Sequence, residues 1–487
     1  MTVSNGVLDL GGNNLLANTV SISSGGSVIN GTLNATSVVS MTNGTNGADL
    51  SGTAGLSKIT SGTAVLTGNN TYTGLTVISQ GTLQIGDGGT SGSLGNSGVV
   101  NNASLAFNRS NGYSFGQTIS GTGSVTQMGS GTTTLSGANT FTGGTTVNGG
   151  TLVAGSATAL GAPGGTVTVN GGELQAGGQF LNYNFAGTGG QITATSNLIM
   201  GSFTSTAAFV YGGTLNVGSR AVQLLSPGLS TVKNITLAEG GQLSSFYGIS
   251  LQVGGSLVAT GNATVNGPFK NPSQLVFTPT PHFEVATVQG PTASGKNLTF
   301  AGPVSGGGTL LGNIRILDSY TPSNSPDAQI QVGNGVITTS VTLGHSAITT
   351  LQIGGTLLPG ISYDQYVINS LGTLNLDGTL KLQLIVDPLA PLDPIFSPAS
   401  GNSFNLLNHN GGSIVGTFAS IDTSLAVLLP GLSWDFSNLY TTGFADVVGV
   451  AVPEPAAWAT IFGVVALGFA AVRRRTKSKA NARDENS

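Results

Sequence analysis

Ser61-Gly62-Thr63-Ala64-Val65-Leu66-Thr67-Gly68-Asn69-Asn70-Thr71-Tyr72-Thr73-Gly74 returns, at an offset of 69, as Ser130-Gly131-Thr132-Thr133-Thr134-Leu135-Ser136-Gly137-Ala138-Asn139-Thr140-Phe141-Thr142-Gly143. Leu66 answers Leu135, Tyr72 answers Phe141, and Gly81-Thr82-Leu83 answers Gly150-Thr151-Leu152 at the same spacing, so the register is held without an insertion. Further on, Leu94-Gly95-Asn96 answers Leu160-Gly161-Ala162 at a spacing of 66. Apolar and polar residues alternate in runs of four to six, bounded by Gly, Asn and Ser, which is the pattern of short strands and tight turns. Gly-Thr-Leu opens such runs at Gly31, Gly81, Gly150, Gly213, Gly308, Gly355, Gly372 and Gly378. A self-similar period in a chain without amphipathic helices points to a solenoid.

A period near 69 divides into about three coils of roughly 23 residues. Stacked at about 4.8 Å, each coil would pair its N–H and C=O groups with the next. Leu66, Val77, Leu83, Leu135, Val147 and Leu152 would point inward as a continuous apolar stack, and residues 1–385 would form on the order of sixteen coils, a rod of very roughly 80 Å. The two clearest copies, 56–84 and 125–153, resemble the autotransporter-associated β-strand repeat, in which a Gly-Thr-Leu-type strand, an Asn-Thr-Tyr-Thr-Gly turn and a second Gly-Thr-Leu strand follow one another. The resemblance implies an all-β fold, a parallel β-helix.

Composition agrees. Of 487 residues 78 are glycine, 7% are charged and none is cysteine, so disulfides and thiolate metal sites are excluded and stability rests on packing and backbone pairing. Six of the 14 cations (Arg473, Arg474, Arg475, Lys477, Lys479, Arg483) and two acids (Asp484, Glu485) lie beyond Val472, leaving eight positive against 16 negative charges before them, a net of −8. Such a body has no basic footprint for nucleic acid.

Two stretches interrupt the rhythm. Pro268, Pro272, Pro279, Pro281 and Pro291 break 261–296, as expected of a protruding loop or kink. Asp387-Pro388 to Asp393-Pro394, followed by Pro398, marks a boundary beyond which 386–450, with Trp434 and other aromatics, reads as a closing β segment that caps the last coil.

The chain ends in Val452-Pro453-Glu454-Pro455, an uncharged run from Ala456 to Val472, and Arg473-Arg474-Arg475. As a helix that run would extend roughly 25 Å, enough for a thin bilayer, and the arginines would hold residues 477–487 on the cytoplasmic side. Residues 451–476 resemble the PEP-CTERM sorting signal of Gram-negative bacteria. The resemblance implies recognition of Val452, Pro453, Glu454 and Pro455 by an exosortase-type membrane protease, with the body released to the cell surface or matrix. Met1-Thr2-Val3-Ser4-Asn5-Gly6 has neither a basic nor an apolar leader segment, so an outward-facing body requires a start further upstream.

Catalysis is not expected. Parallel β-helices include polysaccharide-active enzymes, which need paired carboxylates, whereas Asp87, Glu173, Glu239, Lys58, Arg109, Arg220 and Lys233 stand isolated in sequence. Asp318 and Asp327 around Tyr320 come closest to an acidic pair; His282, His345 and His409 have no ligand spacing, and Asp87 in Gly86-Asp87-Gly88-Gly89 does not recur, so no metal and no cofactor is expected. Thr71-Tyr72-Thr73, Thr132-Thr133-Thr134 and Thr166-Val167-Thr168 raise the alternative of a hydroxyl array that binds ice. A weakly charged rod making many weak contacts to exopolysaccharide or another matrix glycan fits the composition better.

Overall fold

The computed structural model describes residues 1–181, 183–201, 210–225, 230–245, 251–259, 263–266, 269–270, 287–291, 297–300, 304–305, 308–317, 320–321, 329–332, 339–356, 363–386 and 395–449. Every regular element among them is a β-strand, and nearly all pair in parallel with a strand about one coil away. The chain is a parallel β-solenoid. The 456–472 segment and its flanks, 451–455 and 473–487, lie outside the described residues.

One coil shows how the fold is made. Gly55–Lys58 lies on one face and Thr63–Leu66 on the next. Residues 69–73 cross a third face, and Thr76–Ile78 then lands on the first strand with Thr76 beside Leu56. The third face is crossed there without a strand, so its polar groups need other partners. Asn70 supplies them: its Oδ1 accepts from Leu50 N on the coil before (2.8 Å), and its Nδ2 donates to Ser93 O on the coil after (2.6 Å). Asn139 repeats the arrangement with Ile119 N (2.8 Å) and Ala159 O (2.7 Å). A buried amide side chain thus replaces a missing ladder rung in each copy.

The aromatic two residues on fills the same corner. Tyr72 and Phe141 are buried, and the next coil crosses above them at Leu94-Gly95 and Leu160-Gly161. A Cβ on Gly95 would lie 2.6 Å from the Tyr72 ring, and one on Gly161 2.8 Å from the Phe141 ring. This contact accounts for the Leu-Gly pair that follows each copy. The Tyr72 hydroxyl meets Thr76 Oγ1 at 2.7 Å; where Phe141 has no hydroxyl, Thr145 Oγ1 donates instead to Leu160 O at 3.0 Å. The glycine opening the Gly-Thr-Leu strand of the two matching copies is fixed twice over: Gly81 and Gly150 have φ of 69° and 53°, and a Cβ would stand 2.3 Å from carbonyls of the preceding coil.

The coils are shorter than the repeat period suggests. Leu66 pairs with Ile85, Ile85 with Phe107 and Phe107 with Gln127, so three full coils bring the chain only from Leu66 to Gln127. The stretch that follows carries it around a corner to Leu135, which pairs with Phe115 and Ala154 in a different sheet. Across the repeat copies the expected coils of roughly 23 residues are therefore corrected to coils of about 20 residues, and toward the C-terminal end the coils lengthen, with Ile316 pairing with Leu343 and Thr349 with Leu380. The second copy is accordingly rotated by one face relative to the first. Thr63–Leu66 sits in the 10-stranded sheet that runs from Val7–Asp9 to Asn184–Ala186, while Thr132–Leu135 belongs to the adjoining one.

Leu66, Leu83, Leu135, Val147 and Leu152 are buried as expected. Val77 is not: Thr76 and Ile78 point inward and Val77 outward, because the Thr76 hydroxyl is held by Tyr72 inside the coil and strand alternation then turns its neighbour out. Further along, Ser256 pairs with Thr287 and Ala263 with Leu298, so the proline-interrupted stretch is accommodated while the ladder continues on both sides. Pro268, Pro272, Pro279 and Pro281 are themselves outside the described residues.

At the far end, Leu407–Asn408, Ser413–Gly416 and Ser420–Leu425 add parallel partners to Gln365–Ile368, Gly372–Leu376 and Thr379–Leu384. Ser403–Asn405, Phe444–Gly449 and Leu432–Asp435 then form an antiparallel three-stranded sheet. Phe404 is fully buried there, with the Tyr363, Phe396 and Trp434 rings 5.5, 6.2 and 5.8 Å away.

Replacing Asn139 by Ala leaves Ile119 N–H and Ala159 C=O buried without their partners, a loss of about 1–3 kcal/mol for each unsatisfied group. Hydrogen exchange should accelerate at the Ile119 amide, by about tenfold or more, while amides of the 7–66 coils keep their protection. Unchanged exchange at Ile119 would refute the bridging role.

Candidate functional site

The residues singled out for sorting, Val452 to Pro455 and Arg473 to Arg475, lie outside the described residues, and among the described residues no helix is long and apolar enough to cross a membrane. His282, Asp318 and Asp327 are likewise outside. His345 is exposed, with Nδ1 3.2 Å from Asp377 Oδ1. Asp377 is held below the usual carboxylate range, first by the Gly378 backbone N–H and then by His345. Asp87 accepts from Gly89 N (3.1 Å) in its own turn. Among the described residues no three His, Cys, Asp or Glu side chains stand close enough to hold a metal ion.

Two cations that read as isolated are built into the coil. Lys58 is buried in an inward stack between Met41 and Ile78. Its Nζ donates to Thr60 O and to Gln80 O (3.1 Å), tying down the corner carbonyls, and desolvation lowers its pKa. The equivalent position in the second copy is Gln127, whose Nε2 donates to Gly129 O (2.9 Å) and Gly131 O (3.2 Å). The positive charge is therefore incidental to the role. Arg109 lies over the Tyr113 ring at 5.1 Å and donates to Gly92 O, Thr90 O and Asn111 Oδ1, pinning the glycine-rich 86–92 loop to the coil. Burial pushes the Tyr113 phenol up to about 12.

The surface feature with the most chemistry is a polar platform around Glu173. Thr151, Glu173, Gln191 and Thr214 form one column up the face, and Val153, Gln175, Thr193 and Asn216 the column beside it. The Glu173 carboxylate accepts from Thr193 Oγ1 (2.5 Å), Gln175 Nε2 (3.1 Å), Gln191 Nε2 (3.4 Å) and Thr151 Oγ1 (3.5 Å). Its partners come from three successive coils, which is why sequence spacing hid it. A second feature is a shallow groove of about 430 Å³ lined by Gln242, Thr264, Thr299 and Arg315, four outward residues in register on consecutive coils. The arrangement offers hydroxyls, amides, one carboxylate and one guanidinium along extended faces. The three threonine triplets do not combine: Thr133 is buried, and Thr166-Val167-Thr168 lies on a different face from Thr132 and Thr134.

Residues 56–85 and 125–154 match the passenger-associated-transport-repeat family. No curated protein and no solved structure matches the chain. The matched residues are units of about one and a half turns, each tied to the coils on either side through an Asn bridge and an aromatic corner.

Because the folded pKa of Lys58 lies below the unfolded value near 10.5, the unfolded chain binds more protons between those two values, and stability rises with pH across that window. Lys58→Gln removes this dependence while keeping the corner hydrogen bonds that Gln127 makes. The variant's advantage in urea midpoint should accordingly be largest at pH 7 and shrink as pH 10.5 is approached. The buried tyrosines are common to both proteins and cancel, so an advantage that does not change with pH would contradict the charge penalty.

Proposed function

We propose that the chain is an exported bacterial surface or extracellular-matrix protein, a structural and adhesive rod delivered through its C-terminal signal by an exosortase-type membrane protease. The observation that carries the reading is the pairing of two passenger-repeat matches with one continuous parallel ladder. Passenger-associated repeats suggest export to the surface. The tail supplies the sorting step: Val452 to Pro455 is read by the protease, Ala456 to Val472 inserts in the inner membrane, and Arg473 to Arg475 orients it.

The adhesive role is supported by the Glu173 platform and the Arg315 groove, which present hydrogen-bonding groups along the rod to exopolysaccharide or a matrix glycan. A long ladder of weak sites gains from multivalency what each lacks singly. The aromatic 386–450 segment is read as the cap that shields the last coil from pairing with a second chain.

Mass spectrometry of the protein recovered from its native cell envelope tests the sorting step. The surface fraction should contain a chain that ends near Pro455 and lacks Arg473 to Arg475. A surface fraction that retains the arginine block would overturn processing.

A further inference from the structure

The antiparallel sheet at the C-terminal end is polarised. Leu432 pairs with Gly449 and Ser433 with Val448 at one end, and Asp435 with Asp446 at the other. Directly before Leu432 the chain reads Leu425-Ala426-Val427-Leu428-Leu429-Pro430-Gly431, without a single polar side chain. Ala426 is buried and Leu428 packs against the core, but Leu425, Val427 and Leu429 are 49%, 75% and 58% exposed. Trp434 anchors this loop by donating from Nε1 to Ala426 O (2.8 Å) and lies against Phe436, with ring centroids 6.1 Å apart. The exposed apolar loop therefore projects beside Gly449, the point from which the sequence runs on to the 456–472 segment.

We infer that the Leu425–Gly431 loop, with Val448, seats this end of the rod in the interfacial layer of a phospholipid bilayer. The inference rests on the reading of 456–472 as a membrane segment. Seven peptide steps lead from Gly449 to Ala456, and fully extended they reach at most about 25 Å, so an inserted segment keeps the loop within reach of the lipid. Uncharged leucine and valine side chains enter the acyl boundary, and the indole of Trp434 suits the headgroup level. Asp435 and Asp446 stand further back along their strands, about 10 Å from the apolar rim, where their carboxylates stay hydrated. The loop alone is a small anchor, so it holds the rod at the membrane only while the tail is attached and releases it after cleavage.

The two tryptophans, Trp434 and Trp458, allow both parts to be read separately. The full chain is reconstituted into phosphatidylcholine vesicles with brominated acyl chains, as Trp458→Phe to leave Trp434 and as Trp434→Phe to leave Trp458. Both fluorophores should be quenched. Adding Val427→Ser and Leu429→Ser should reduce Trp434 quenching at least twofold and leave Trp458 quenching unchanged. Quenched Trp458 with Trp434 at its lipid-free level overturns the loop inference and leaves the tail reading standing; quenching of neither overturns both. Trp434 quenching indifferent to the loop substitutions overturns the role of the loop. Burial of Trp434 that grows with protein concentration in lipid-free detergent identifies a second copy as the occupant, and overturns the membrane inference.

Discussion

A backbone amide in this fold finds its partner one coil away, and nearly every choice of residue follows from that constraint. Glycine stands where a Cβ would strike a carbonyl of the neighbouring coil, as at Gly81 and Gly150. Where a strand gives out, a side chain takes over the pairing, as Asn70 and Asn139 do between the coils on either side. Inward polar residues such as Lys58 and Gln127 occupy strand ends, where they bind the corner carbonyls that the ladder leaves over. With few charges and no disulfide, the coils rely on this pairing together with the stacked core of Leu, Ile, Val and Phe.

The rotation between the two repeat copies bears on what the repeat is for. Three coils from Leu66 end at Gln127, short of the repeat period, so equivalent positions such as Leu66 and Leu135 lie on neighbouring faces. A motif kept to display a binding surface would be expected to return to the same face. What is shared includes an internal set, a buried Asn, a buried aromatic and the glycine that crosses it, together with exposed hydroxyl residues at Ser61 and Ser130, Thr71 and Thr140, and Thr73 and Thr142. The internal set ties each coil to its neighbours, and the shared hydroxyls are presented on a different face in each copy.

The parallel solenoid was legible because alternation, Gly-Thr-Leu openings and the uninterrupted register between the two copies all survive in one dimension. The coil length was not, since a period need not be a whole number of turns. Val77 was misplaced for a related reason: an apolar residue next to a threonine reads as core until Tyr72 is seen to hold the threonine inside. Glu173 looked isolated because its four donors are Thr151, Gln175, Gln191 and Thr193, and only stacking gathers them. Arg109 is similar, with its carbonyl partners at Gly92 and Thr90 on the coil before. The sorting motif is the reverse case, read entirely from order and composition in the sequence.

The absence of cysteine makes the coil register directly measurable. Disulfides require Cα atoms within about 4.4–6.8 Å, which neighbouring rungs satisfy and more distant positions do not. Thr126 pairs with Thr146 on the next coil. Under mild oxidation the pair Thr126→Cys with Thr146→Cys should cross-link in the native protein, whereas Thr126→Cys with Gly149→Cys, the partner that the longer coil would have placed opposite, should remain reduced. Cross-linking of the second pair in preference to the first, or of neither, would contradict a parallel ladder whose coils across the repeat copies take about 20 residues.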